Sequence, residues 1–415
     1  MITALGNAFK VEELRKKILF TLAMLALYRL GANIPVPGVS PQQLQQLAAT
    51  TSSGVLGLLN LFSGGALERF AVFSLGIMPY ITATIIMQLL TAVIPKIEQW
   101  QKEGEAGQRK ITQISRYLTL GIGLIESIGY IALFQGTLKV TFPWTTRIVM
   151  LITLLAGTAL IMWMGELITQ RGIGNGMSLL IFANIIARFP QAIFSAFSLS
   201  SPLLVVVVGI LFLLVIAAIV TMEKAQRRIP VQYAKRIVGR KVYGGAGTYI
   251  PLKINGANVI PIIFAIAILQ FPGVVLRYVP SLAKYSNLFA PQSWFYLVFG
   301  SLLIVFFTYF YTALVFNPID LADNLRKQGG FIPGVRPGKN TVQYIENVLL
   351  RINLPGAIFL AAIWLLPTVL FNLTKVTALQ YFGGTSILIM VGVSLETMNQ
   401  LESQLKMRHY DGFFR

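Results

Sequence analysis

Few residues in this 415-residue chain could carry out covalent chemistry. There is no cysteine, which excludes disulfides, thiolate zinc sites and cysteine nucleophiles. The one histidine, His409, argues against a histidine-based metal site or catalytic triad. Residues 239–247 hold several glycines, but no Gly-Lys-Ser/Thr follows, so nucleotide binding is disfavoured. Two other features remain. One is an acid inside an apolar run, Glu126 within Leu124-Ile-Glu-Ser-Ile128. Such an acid is a functional candidate by default, against the plainer reading of a protonated or hydrogen-bonded packing group. The other is a set of basic loop residues suited to anionic partners: Arg227, Arg228, Lys235, Arg236, Arg240, Lys241 and, in a second loop, Arg336.

The elements that must carry these residues follow from composition. The chain is 55% hydrophobic and 12% charged, with mean hydropathy +0.70. A soluble domain has about twice that charged fraction. A soluble enzyme, a disordered tail and an ordinary nucleic-acid-binding domain are thereby excluded, and a polytopic membrane protein is expected. Ten stretches approach the roughly 20 apolar residues that a spanning helix needs, near 18–34, 70–94, 114–134, 148–168, 177–198, 203–222, 257–276, 294–316, 352–371 and 379–400. They are too long and too uniform for barrel strands, which predicts an all-α fold. Glu126 falls mid-span, where a charged residue costs roughly 2.5–3.5 kcal/mol to insert. The nine Leu, Ile and Phe residues between 118 and 134 can carry it across.

Charge sets the orientation. There are 34 Lys plus Arg against 15 Asp plus Glu, a net +19. Threading ten spans puts 26 of the 34 basic residues on one side, so both termini and the large loops are expected in the cytoplasm. The N-terminus shows no cleavable signal peptide pattern. Loop 223–254 presents eight basic residues and one acid, Glu223. Topology needs only a few, so a docking surface for an acidic or RNA-bearing partner is favoured over mere attraction to anionic lipid. Loop 317–344 is rich in Pro and Gly after Gln328 and is expected to be irregular and partly rigid, displaying Arg336. Arg29, Arg188, Arg351 and Glu396 lie nearer helix ends, where snorkelling is expected. Residues 55–62 are apolar but too short to span, and Ser63-Gly64-Gly65 follow. A re-entrant half-helix in a pore and an amphipathic loop on the outer surface both fit.

Five blocks in order resemble the SecY family of protein-conducting channels: Ser74-Leu-Gly-Ile-Met-Pro-Tyr80 continuing to Leu90; Arg171-Gly-Ile-Gly-Asn-Gly176; the Arg-Arg-Ile-Pro and Tyr-Ala-Lys-Arg runs of loop 223–254; Gly329-Gly-Phe-Ile-Pro-Gly-Val-Arg-Pro-Gly338; and Met407-Arg-His-Tyr-Asp-Gly-Phe-Phe414. The resemblance implies ten transmembrane helices in two inverted halves of five, residues 1–198 and 199–415, with a pore between them. It implies a pore ring of Ile81, Ile85, Ile181, Ile185, Ile263 and Ile389, an apolar constriction that blocks ions by dewetting. It implies a plug near 55–70, carried by Leu56, Leu58, Leu59, Leu61, Phe62, Gly64 and Gly65. It places Glu126 on a lateral gate helix, where many bacterial relatives have Gln, and implies a role in tuning gate opening. Arg228, Arg240, Lys241 and Arg336 would be foremost among the docking residues, although Lys241 replaces a common Arg and cannot bind bidentately.

The expected function is translocation of unfolded secretory polypeptides, with hydrophobic segments released sideways into lipid. No enzymatic activity, cofactor or metal is expected. The implied partners are the SecE and SecG subunits, the SecA ATPase, the ribosome with its RNA, signal peptides with their unfolded preproteins, and membrane lipids, in a bacterial plasma (inner) membrane. A secondary transporter would need paired ionisable residues near the midplane of several spans, and an insertase without a through-pore would lack a plug.

Overall fold

The computed structural model describes residues 6, 9–50, 60, 63–138, 140–199, 202–233, 236–238, 241–243, 248–278, 288–290, 293–374 and 384–411. In chain order its helices are α1 (Glu12–Gly31), α2 (Pro41–Thr50), α3 (Met78–Val93), α4 (Pro95–Lys102), α5 (Glu105–Leu138), α6 (Trp144–Arg171), α7 (Gly176–Leu199), α8 (Pro202–Lys224), α9 (Ile260–Tyr278), α10 (Trp294–Val315), α11 (Pro318–Lys327), α12 (Lys339–Thr374) and α13 (Gly384–Asp411). Among the described residues, the ten helices of at least 16 residues overlap the ten apolar stretches; α2, α4 and α11 are additional. Five segments among the described residues are long and apolar enough to cross a membrane by themselves: Glu105–Gly136, Trp144–Arg171, Val206–Lys224, Trp294–Lys327 and Lys339–Phe371. The pair α3 and α4 passes the same test only together, across a 100° bend.

Helix boundaries differ from hydropathy for a local reason. Lipid-matched residues end before the backbone helix does, so α5 starts at Glu105, α12 at Lys339, and α13 runs to Asp411. In the opposite sense, the second apolar stretch is not helical from its start. Residues 70–77 form successive turns, with Gly76 at φ 58°, and α3 begins at Met78 with Pro79 in its first turn. Pro95 then starts α4 after the bend.

Helices α3, α5, α6 and α7 pack in sequence, with α1 against α6 and α7. Helices α9, α10, α12 and α13 pack in the same sequence, with α8 against α13. The two groups meet where α3 and α5 touch α9, and where α7 touches α13. One apolar core crosses this junction, joining Ile81, Ile85, Leu180, Ile266 and Leu388. In lipid, helix association relies on close packing rather than on removal from water. Gly176 shows how close: a Cβ there would stand 2.0 Å from the Gly165 carbonyl oxygen.

Both basic loops contain strands among their described residues. Strand β1 (Gln226–Tyr233) pairs antiparallel with β4 (Thr248–Lys253), and its end pairs with β5 (Gly330–Phe331) from the 317–344 loop. Between them, β2 (Arg236–Val238) and β3 (Lys241–Tyr243) form a hairpin. Alternation on β1 turns Ile229 and Val231 inward onto Leu252, Leu325, Ile332 and Ile345. Both loops therefore build one small β-sheet unit.

Candidate functional site

The six candidate isoleucines come from four helices. Ile81 and Ile85 share a face of α3, and Ile181 and Ile185 a face of α7, by their i, i+4 spacing. Ile263 comes from α9 and Ile389 from α13. All except Ile263 are buried, and Ile263 packs, partly buried, on the same core cluster as the others. A cavity of about 400 Å³ is lined by three of them, Ile81, Ile181 and Ile263, together with polar residues that include Gln88, Arg116, Glu166, Asn175 and Tyr311. Arg116 and Glu166 form a two-bond ion pair at its wall, a contact that the sequence pattern does not announce.

The residues from Ser63 to Val72 are bonded to α1, to α7 and to the chain that follows α1. Among the expected plug residues, Leu56, Leu58, Leu59, Leu61 and Phe62 fall outside the described residues. Gly64 and Gly65 are described, at φ 64° and 90°, in a run of turns from Ser63. Glu68 accepts from the Asn60 side-chain amide at 2.8 Å and pairs with Arg188 of α7 at 2.7 Å. Arg29 of α1 donates to the Gly64 carbonyl at 3.2 Å, and Arg69 hydrogen-bonds Asn33. Arg29 and Arg188 thus turn inward, in place of the expected snorkelling. The paired acid and the open glycine backbone give each guanidinium an interior partner. Backbone bonds from Val36 N to Phe70 O and from Val72 N to Ile34 O fix the far end of the segment.

Glu126 sits on α5 between buried Ser127 and Ile125, which is 62% exposed. The Ser127 hydroxyl donates to Gly123 O, leaving no bond for Glu126, which has no hydrogen-bond or ion-pair partner among the described residues. Helix α5 touches α9, so Glu126 lies on an element that borders the junction between the two helix groups.

Of the docking candidates, Arg227 and Arg228 lie exposed on β1, and the Arg228 guanidinium stands 4.7 Å over the Tyr249 ring centre. That cation–π contact holds the side chain extended at the surface. Arg336 is exposed just after a turn closed by Val335 N to Ile332 O, with Gly334 and Gly338 at φ 81° and 109°. Arg236 and Lys241 lie on the β2–β3 hairpin; Lys235 and Arg240 fall outside the described residues. The pairing of β1 with β5 brings Arg228 and Arg336 onto one folded unit, although about a hundred residues separate them in sequence. Among the described residues, no group of three or more His, Cys, Asp or Glu side chains could hold a metal ion.

Comparison with known proteins bears on the family and the fold. The chain is 47% identical to a protein translocase subunit SecY of Streptomyces scabiei and 45% identical to that of Mycobacterium tuberculosis, each over 100% of both chains. Its fold is similar to a solved protein-conducting channel at TM-score 0.63, 19% identity, covering 94% of this chain and 92% of the other. It also resembles a SecY structure whose plug domain is described as stabilising the closed channel, at TM-score 0.62, 20% identity and the same coverage. The family model for SecY matches residues 71–398, and the chain belongs to the SecY family.

Proposed function

We propose that this chain forms the channel of a bacterial protein translocase, through which unfolded secretory polypeptides cross the plasma membrane. The observation that carries the reading is that six isoleucines from both helix groups belong to one apolar core, three of them lining a cavity that also carries polar side chains. An apolar constriction resists ions by dewetting, yet its flexible side chains can yield around a threaded chain. Residues 1–198 and 199–415 act as two halves. The matching order of packing within each group supports this, as does the contact of equivalent helices, α3 with α9 and α7 with α13. A pseudo-two-fold axis would produce such self-complementary contacts.

Ten helices span the membrane with both termini in the cytoplasm, the segment around 55–70 plugs the outer funnel, and hydrophobic segments leave between the halves beside Glu126. The basic sheet unit docks SecA and the ribosome through Arg227, Arg228, Lys235, Arg236, Arg240, Lys241 and Arg336, and SecE and SecG complete the channel. A photo-crosslinker at Ile81 or Ile181 tests the central claim: a stalled secretory precursor should label both positions. Labelling only from lipid-facing positions such as Ile125 would sink it.

A further inference from the structure

On α7, Ile181, Asn184, Ile185 and Arg188 follow at helical spacing and share one face. Arg188 is therefore the next side chain on that face beyond the isoleucines, one turn farther from the cavity, or about 5 Å at the rise of a helix. Three guanidiniums, Arg29, Arg69 and Arg188, gather around the segment that carries one carboxylate, Glu68. Glu68 engages only one tine of the Arg188 fork, at Nη2, while Nε is buried and meets no acceptor among the described residues. A carboxylate free to align itself would take Nε and Nη2 together, the stronger bidentate form. The backbone is shaped to admit this fork: a Cβ on Gly65 would stand 2.8 Å from Arg188 Nη2, and one on Gly64 would stand 2.5 Å from Arg29 Nη1.

We propose that Arg188, flanked by Arg29, is a carboxylate-binding site in the translocation path, filled by Glu68 in the closed channel and by acidic side chains of the passing polypeptide once that segment withdraws. The inference rests on the channel reading above. Its consequence is competition. An acidic stretch in transit occupies the site that Glu68 must regain, so it delays reclosure, whereas a neutral stretch of the same length does not.

The natural absence of cysteine gives a clean reporter, because Ser63, buried beside Asn60, can be replaced by the near-isosteric Ser63→Cys. Labelling by a membrane-impermeant maleimide is followed in right-side-out vesicles containing the full complex. In the idle channel, Glu68→Gln and Arg188→Gln should each raise the labelling rate about tenfold, the scale of a partly buried ion pair. The exchange Glu68→Arg with Arg188→Glu should restore protection, which a mere folding defect would not. During translocation, an aspartate-rich precursor should prolong labelling relative to its asparagine-rich counterpart, and Arg188→Gln should abolish the difference. Unchanged idle labelling in both single variants, or equal labelling by the two precursors in the parent, overturns the site. If Ser63→Cys is never protected when idle, or never exposed by any precursor, the channel-and-plug reading itself fails.

Discussion

Arg116 grips Glu166 through two parallel hydrogen bonds, Nε to Oε1 at 2.9 Å and Nη2 to Oε2 at 2.6 Å. The pair ties α5 to α6 at the wall of the cavity. Because the Arg116 side chain is 44% exposed, solvent screening limits its worth. Glu166→Gln should cost about 1 kcal/mol and lower the thermal aggregation midpoint of the purified protein slightly. Arg116→Lys should fall between wild type and Glu166→Gln, since an ammonium keeps the charge but not the fork.

The six isoleucines make a different kind of prediction, because their role depends on polarity rather than on pairing. Ile81→Ser combined with Ile181→Ser puts hydroxyls from two helices into the lining of one cavity, which favours wetting of the proposed constriction. Ion leak through idle channels in a planar bilayer should rise about tenfold or more. The conservative pair Ile81→Leu with Ile181→Leu should leave it near the parent value, because volume and polarity are kept.

Much of this architecture is legible in the sequence, and what is not follows a physical pattern. A spanning helix requires a long apolar run, and each of the ten described helices of at least 16 residues overlaps such a run. Five segments and one bent pair among the described residues are long and apolar enough for a span. The charged extensions of α5 and α12, and the elbow at Pro95, do not register, because helical backbone outside lipid has no compositional requirement. The site residues divide in the same way. Ile81 and Ile181 are ordinary apolar residues whose placement is visible only through family resemblance. The inward turn of Arg188 depends on Glu68, which sits on a different element far away in the chain. Local charge near a helix end reads equally well as snorkelling, and only the fold brings the partner near. The sheet shared by the two basic loops was hidden for the same reason: β5 is two residues long and gains its meaning from pairing with β1.

Glu126 separates two readings of a mid-span acid. It has no described partner, borders exposed Ile125, and belongs to a helix that touches α9 across the junction. A group without a partner contributes through its own polarity, so Glu126→Gln, which keeps size and hydrogen bonding, should alter gating without unfolding α5. The expected outcome is a several-fold change in export of a precursor with a weakened signal sequence, with normal precursors exported near the parent rate. Unchanged signal stringency together with unchanged translocation rate would show that Glu126 is a packing residue.

The shared sheet predicts that the two basic loops act as one surface. Arg228 and Arg336 should each contribute to binding an anionic partner, and Arg228→Ala should lower the salt dependence of ribosome binding by about one unit of slope. Loss of charge alone would make the two substitutions additive. The structure adds a stronger test, because Val231 is buried under β1 in the core that also holds Ile332 and Ile345. Val231→Asp puts an unpaired carboxylate into that core and should disrupt β1 together with its partner β5. Ribosome binding measured by co-flotation with membrane vesicles should then fall at least as far as in Arg228→Ala with Arg336→Ala. Adding Arg336→Ala to Val231→Asp should produce no further loss, since the loop displaying Arg336 would already have lost its support. If Arg336→Ala still costs its full share in that background, the two loops dock independently and the pairing of β1 with β5 has no part in recognition.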